Sequence, residues 1–239
     1  MIKSLVFSAF TLLMLSSCHS FFGEKVKGNG NVVTENRSIG NFSGVDVSGA
    51  IDVYIKQDNA NSVRIETDEN IQGLIITRIE GNVLHIKPEN NTDLNPTRLK
   101  VYVSAPSFTS LEASGACKIY SENKITSSEP LDIDLTGASN AIVAVNAPKI
   151  TADLSGAGLI ELSGETKQLS IDGSGSSDIK CFDLKAEDVE IDISGAGNAE
   201  VFASARLDVE VSGAGDVKYR GSPSVNQRIS GAGSVKKVD

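Results

Sequence analysis

The chain of 239 residues contains no tryptophan, and aromatic residues make up only 5% of it. It therefore lacks the flat rings on which proteins commonly stack sugars. Histidine is almost as scarce, with only His19 and His85 present. A metal cluster, or a nucleophile paired with histidine, has almost no material here. We interpret the isolated His85 as a hydrogen-bonded strand residue rather than a catalytic base.

Long apolar runs are also missing after the first residues of the chain. Leu5–Leu15 is largely apolar but too short to span a bilayer, and with Lys3 before it the run fits a secretory signal. It ends in Leu15-Ser16-Ser17-Cys18, which resembles the lipobox of bacterial lipoproteins. By that resemblance residues 1–17 are a lipoprotein signal peptide, Cys18 is lipidated, and residues 18–38 form a tether. An ordinary signal peptide and an uncleaved anchor are the alternatives.

The charge balance and the cysteines narrow the function classes further. Without residues 1–17 the chain keeps 21 of its 22 basic residues and all 31 acidic ones, a net charge of 21 − 31 = −10. Such a charge disfavours nucleic acid and anionic lipid as partners.

Cys117 and Cys181 follow repeats that lie three coils apart, roughly 14 Å along a stack of strands. A disulfide needs Cα atoms within about 7 Å, so we predict that both thiols are free.

What the chain has in abundance is a recurring small-residue turn. The turn motif is a Ser or Thr, then a Gly, then an Ala or Ser, and it occurs seven times. Four of the seven copies read Ser-Gly-Ala-Gly (SGAG). The Gly-to-Gly intervals are 22, 19, 19, 20, 18 and 18 residues. The seven glycines that lead these turns are Gly115, Gly137, Gly156, Gly175, Gly195, Gly213 and Gly231. A fixed period near twenty indicates a solenoid, in which one coil cannot bury its apolar face alone.

Alternation around each turn defines the type of coil. Residues two, four and six places before the glycine are nearly all apolar, as in Leu131, Ile133 and Leu135, whereas the places between them are polar. This period of two predicts two strands per coil of about 18–20 residues. We therefore predict an all-β, parallel β-helix, with a β-sandwich or barrel as the alternative. The turn glycines should have positive φ, and the Ala after each should point into a narrow corner.

The first half of the chain repeats more faintly. Residues 42–54 match residues 108–120 almost place for place, and strand-like runs lie between them. We predict a single domain over residues 39–239, with irregular early coils at 39–110 and regular coils at 111–239. The last coil carries Lys237 where earlier coils have an inward apolar residue, which suggests a charged end that discourages pairing. A monomer is favoured, with an end-to-end homo-oligomer as the alternative.

One set of side chains could carry chemistry. The residue three places before the glycine is acidic in five consecutive coils: Asp134, Asp153, Asp172, Asp192 and Glu210. These should form an outward column spaced by about 4.8 Å, in which like charges repel. Three interpretations compete: a solvated negative face, a weak divalent-cation or ligand surface, and a pair of carboxylates that cleaves glycans. A uniform column singles out no acid and no base, and we assign no metal site or cofactor.

The stretch of residues 41–55, followed by strands and serial SGAG turns, resembles the head GIN domain family of auto-transporter adhesins. These are commonly lipoproteins of Bacteroidetes-type bacteria. The resemblance implies a right-handed β-helix related in shape to pectin-lyase-like folds, without the catalytic residues of those enzymes. It implies a lipid-anchored protein in the envelope of a Gram-negative bacterium, at the outer membrane.

Three functional hypotheses follow. The first is a non-enzymatic envelope lipoprotein whose β-helical surface mediates adhesion, with a protein or glycan as partner. The second is a carbohydrate-active protein, binding or cleaving glycans through the acidic column. The third is a structural or sensory module of the envelope.

Overall fold

The structure is a computed structural model that describes residues 23–239. Within this range the chain forms strands and one short 3-10 helix, Gln72–Leu74. The first nine strands are β1 (Glu24–Lys27), β2 (Val32–Arg37), β3 (Gly44–Gly49), β4 (Asp52–Gln57), β5 (Ser62–Asp68), β6 (Ile75–Glu80), β7 (Val83–Pro88), β8 (Thr92–Asn95) and β9 (Leu99–Ala105). The later strands are β10 (Ser110–Gly115), β11 (Lys118–Ser121), β12 (Ile125–Thr126), β13 (Leu131–Gly137), β14 (Asn140–Gly156), β15 (Leu159–Gly175), β16 (Asp178–Gly195), β17 (Asn198–Gly213), β18 (Asp216–Gly221), β19 (Ser224–Gly231) and β20 (Ser234–Lys237).

The later strands form a parallel solenoid, which confirms the predicted fold class and excludes the sandwich. Strand β10 pairs in parallel with β13, β13 with β14, and the order continues through β15, β16 and β17 to β19. The turn glycines lie opposite one another at every step, from Gly115 and Gly137 to Gly213 and Gly231. Strands β14 to β17 are long because each follows the chain around most of one coil.

The core is a continuous apolar column inside the coils. Each coil directs its alternating apolar residues inward, and Leu131, Ile133 and Leu135 are all at most 2% exposed. Buried aliphatic side chains from successive coils form one cluster that runs from Phe42 to Val217. Cys117 and Cys181 belong to this cluster, and both are free, as predicted.

The turn between the two halves of a coil depends on its two small residues. Gly195 has a φ of 130°, and a Cβ built on it would lie 2.3 Å from the carbonyl oxygen of Gly175 in the preceding coil. The expectation that the following Ala points into the corner is wrong, because Ala196 is exposed and Gly197 is the buried residue. Ile193, Gly197 and Ala199 are all buried, so the inward side keeps its period of two through the turn and Ala196 falls on the outward side.

The first part of the described chain mixes parallel and antiparallel pairing. Strands β3 and β4 form a coil that pairs in parallel with β10 and β11, with Gly49 opposite Gly115. Beyond that coil, β2 and β9 flank β5 in antiparallel order, and β6 pairs antiparallel with β7. These antiparallel strands form one end of the stack.

The boundary of the predicted tether also differs from the structure. Strands β1 and β2 fall within residues 18–38 and pair with β8 and β5, so residues 24–37 belong to the folded part. Their short, polar sequences lack the apolar alternation by which the later strands were recognised. Within residues 23–239 no helix is long and apolar enough to cross a membrane.

Candidate functional site

The acidic residues predicted to form a column do lie opposite one another. Asp134 pairs with Asp153, Asp153 with Asp172, Asp172 with Asp192, and Asp192 with Glu210. All five side chains are exposed on the same side of the sheet. The column results from the repeat itself, because every coil places the residue three before its glycine at the same register position.

The column is longer than the five residues that the sequence singled out. Glu112 lies opposite Asp134, and Asp46 lies opposite Glu112, so seven carboxylates follow one another across seven coils. Both added residues stand three places before a turn glycine, Gly115 and Gly49. The same offset would therefore have found them, had the count begun with the first, irregular coil.

A hydrogen-bonded side chain closes the column at each end. His85 of β7 lies opposite Asp46, and its Nδ1 is 2.7 Å from Asp46 Oδ2. At the other end Arg228 lies opposite Glu210 and donates from Nη1 to Oε2 at 3.0 Å. His85 is thus a hydrogen-bonded strand residue, as interpreted from the sequence. The Arg228 ion pair offsets part of the repulsion at its end of the column.

Three carboxyls of the column have raised pKa values. Partial burial and the charges of Asp46 and Asp134 raise the pKa of Glu112 above its usual range. Partial burial and the charge of Asp172 likewise raise the pKa of Asp153 and of Asp192. Glu112, Asp153 and Asp192 therefore hold their protons more tightly than isolated carboxyls do.

The geometry of the column does not define a catalytic pair. Asp208 and Glu210, near its end, form ion pairs with Arg206 and Arg228. The remaining acids stand in a row on an open sheet face, and the three raised pKa values arise in similar surroundings, so no one pair stands out as acid and base. In the described part of the chain, no group of three or more His, Cys, Asp or Glu residues is arranged to hold a metal ion.

The buried thiols have no place in a reactive site either. Burial raises the pKa of the Cys117 thiol to about 11 and that of Cys181 to about 12. A thiol with so high a pKa is almost entirely protonated at neutral pH and is a poor nucleophile. Both cysteines are core residues. Cys18, the predicted lipidation site, lies outside the residues that the structure describes.

Aromatic residues are few, but three of the four tyrosines form a ladder. The Tyr54 ring stacks on Tyr102 at a centroid distance of 5.1 Å and on Tyr120 at 5.2 Å. The Arg64 guanidinium covers Tyr102 at 3.8 Å, and the Lys100 ammonium lies 4.8 Å from the Tyr54 centroid. Because the rings stack on one another, most of their faces are occupied. The ladder stabilises the early coils and offers little free ring surface to a ligand.

A large depression lies at the second corner of the coils, away from the acidic column. It is a groove of about 680 Å³ that crosses five successive coils. One short segment of each coil lines the groove: Thr126 to Ser128, Asn146 to Pro148, Glu165 to Lys167, Lys185 to Glu187, and Phe202 with Ser204. Sequence reasoning missed this groove because the looser corners vary in length and share no motif.

Comparison with known proteins gives the chain a family. The family model described as "Putative auto-transporter adhesin, head GIN domain" matches residues 41–223. That range includes the irregular first coil and all but the last coil of the stack. A search of curated proteins finds no match.

Solved structures of similar shape come from Bacteroides and Parabacteroides species. A putative adhesin of Bacteroides fragilis superposes with a TM-score of 0.84 at 23% identity, covering 89% of this chain and all of its own. A putative adhesin of Parabacteroides distasonis gives 0.75 at 25% identity, covering 90% of this chain and all of its own. A putative lipid binding protein of the same species gives 0.73 at 24% identity, with the same coverage.

Proposed function

Since the chain belongs to the head GIN domain family of auto-transporter adhesins, we propose that it is a non-enzymatic adhesin of the bacterial envelope. The family match over residues 41–223 is the observation that carries this proposal, and the neighbouring adhesin structures agree with it in fold. The family and the neighbouring structures support a location at the cell surface or in the envelope.

The β-helix suits such a role because it presents side chains on a rigid frame. In the middle of the stack each strand is paired on both sides, as β15 is with β14 and β16. Its outward side chains form straight columns at a spacing of about 4.8 Å. A ligand surface of this kind is already ordered, so binding costs little conformational entropy.

The proposed attachment to the membrane is the lipidated Cys18. Strand β1 begins at Glu24, so residues 19–23 separate the lipid from the folded domain. Several acyl chains, at about 0.8 kcal/mol for each buried CH₂ group, would hold the protein on the membrane almost permanently. Because this connection is short, the end of the stack with the antiparallel strands would lie near the membrane. Strand β19, at the other end, would lie farther away.

Absence of enzymatic activity is also part of the proposal. No one pair in the open acidic column stands out as acid and base, and among residues 23–239 no group of three or more His, Cys, Asp or Glu side chains is arranged to hold a metal ion. The combined change of Asp153, Asp172 and Asp192 to Asn tests this point. We expect no glycan-hydrolysing activity in the purified wild-type protein. Turnover of a glycan that this triple variant loses would establish the carbohydrate-cleaving alternative instead.

Adhesion itself is tested in the native bacterium by deleting the gene and restoring it in two forms. Cells with the wild-type chain should adhere to a host-matrix surface more strongly than the deletion strain. Cells with Cys18→Ser should release the protein into the medium and adhere like the deletion strain. Equal adherence of deletion and wild-type strains on every surface would contradict the adhesive function. Full adherence by Cys18→Ser cells would contradict lipid anchoring.

A further inference from the structure

We infer that the groove at the second corner binds a linear, uncharged glycan, an inference that rests on the proposed adhesive function. The groove is defined by the residues given above and has a volume of about 680 Å³. This volume lies within the range of about 300–1,000 Å³ that is typical of ligand sites.

The register of the coils explains the shape of the groove. Its floor is a column of small, buried residues, Ala147, Thr166 and Ala186, each opposite the next. Ala203 lies next in this register, between the lining residues Phe202 and Ser204. Side chains before and after this column in each coil point outward and form the two walls. A trough therefore runs parallel to the stack axis for about four coil spacings, or roughly 19 Å.

The two walls are electrically balanced, although the chain as a whole is strongly acidic. One wall carries Glu165 next to Lys185, which lie opposite each other in the ladder. The other wall carries Lys167 and Glu187. Each wall thus has one charge of each sign, and the signs are crossed between the walls. A polyanion or a polycation would meet as much repulsion as attraction, so an uncharged chain fits best.

The remaining lining groups match the chemistry of sugars. Thr126, Ser127, Ser128 and Ser204 contribute hydroxyl groups, which both donate and accept hydrogen bonds. Phe202 and Pro148 add apolar surface against which the C–H faces of a sugar can pack, and the Lys185 ammonium lies 4.1 Å from the Phe202 centroid. A lipid chain would leave these hydroxyl and charged groups without partners, and such loss is costly.

The backbone of the groove argues against a peptide as the occupant. The strands beneath it are paired on both sides, as β15 is with β14 and β16, so no open edge can accept an added strand. A glycan needs no such edge. Moreover, the wall side chains repeat every coil, about 4.8 Å, a distance close to the length of one sugar unit in an extended chain. Successive sugars would therefore meet equivalent positions on successive coils.

The test measures binding of defined oligosaccharides to the full-length chain, purified in detergent, by titration calorimetry. Cellohexaose, maltohexaose and chitin hexamer are the uncharged probes, and hexagalacturonate is the anionic one. At least one uncharged hexamer should bind with a Kd of about 1 mM or tighter, and the anionic hexamer should bind more weakly. Affinity should increase with oligomer length up to about four sugars and then level off, because the groove spans about four coil spacings.

Two variants and a matched control locate the binding site. Ser204→Trp places a large ring in the groove and Phe202→Ala removes apolar surface, so each should weaken binding by about tenfold or more. Ser155→Trp makes the same exchange at an exposed strand position on the acidic side and should bind like the wild type. Circular dichroism of all three variants checks that the fold is kept.

Several results would overturn the inference. They are binding of no uncharged hexamer, tighter binding of hexagalacturonate, equal binding by Ser204→Trp and wild type, and preference for an extended peptide of similar length.

The adherence assay separates this inference from the proposed function. If Ser204→Trp cells adhere like wild-type cells and no hexamer binds, adhesion stands and the groove proposal fails. If a hexamer binds in the groove but gene deletion leaves adherence unchanged, the groove stands and the adhesive function fails.

Discussion

Replacing Gly195 by Ala should destabilise the stack far more than the same change at a glycine outside the turns. At Gly195 two costs combine, since φ is 130° and the new Cβ would lie 2.3 Å from the Gly175 carbonyl oxygen. The unfavourable backbone conformation costs about 1–3 kcal/mol. Relieving the contact requires the two coils to separate, which weakens the hydrogen bond from Ala196 N to Gly175 O, now 2.8 Å long. That loss adds roughly 1 kcal/mol.

Two other glycines separate these costs. Gly81 has a φ of 58°, but a Cβ there would have open space around it, so Gly81→Ala should cost only about 1–2 kcal/mol of backbone strain. Gly73 has neither a positive φ nor a close neighbour, so Gly73→Ala should be within about 1 kcal/mol of neutral, or slightly stabilising. Urea unfolding of the three variants should give free energies of unfolding that fall in the order Gly73→Ala, Gly81→Ala, Gly195→Ala. Similar values for Gly81→Ala and Gly195→Ala would refute the close packing of turns between coils.

Three further predictions concern the column, the thiols and the open edge. Asp153 and Asp192 have pKa values raised in the folded state, so their ionisation opposes folding at pH 7. This penalty decreases as pH falls through the raised values, and thermal unfolding should therefore show higher stability in mild acid. The Asp192→Asn change should reduce that gain in stability. The two buried cysteines should resist iodoacetamide at pH 8 until urea unfolds the chain, and rapid alkylation in the native state would contradict their burial. Replacing Lys236 and Lys237 by Val should promote concentration-dependent association on a sizing column. The reason is that β19 and β20 end the stack, and no further strand among the described residues pairs with their outer edge. A wild-type dimer that the change leaves unaltered would contradict the protective role of these lysines.

The regular coils could be predicted because their signals are local and repeated. A positive-φ glycine and an alternating strand before it recur in every coil, so the register of one pair sets the register of the next. The same offset that selected Asp134 also selects Asp46 and Glu112, and the column could have been read in full from the sequence.

The rest of the fold depends on contacts that the sequence pattern does not encode. Parallel and antiparallel strands share the same alternation, so nothing local distinguished the antiparallel pairing of β5 with β2 and β9 from another coil. Strand β1 has four residues and follows no apolar pattern. The groove arises where corners of different length lie side by side, and neither a motif nor a period marks such a place. The inward position of Gly197 rather than Ala196, in contrast, continues the period of two of the flanking strands and could have been predicted from it.

The adhesive role depends most directly on where the folded domain is displayed. Antibodies raised against the exposed acidic side of the stack can be applied to intact cells and to permeabilised cells of the native bacterium. Labelling of intact cells, lost in the deletion strain and reduced strongly by Cys18→Ser, is the result we predict. Labelling that occurs only after permeabilisation would place the domain inside the envelope and contradict adhesion to an external surface.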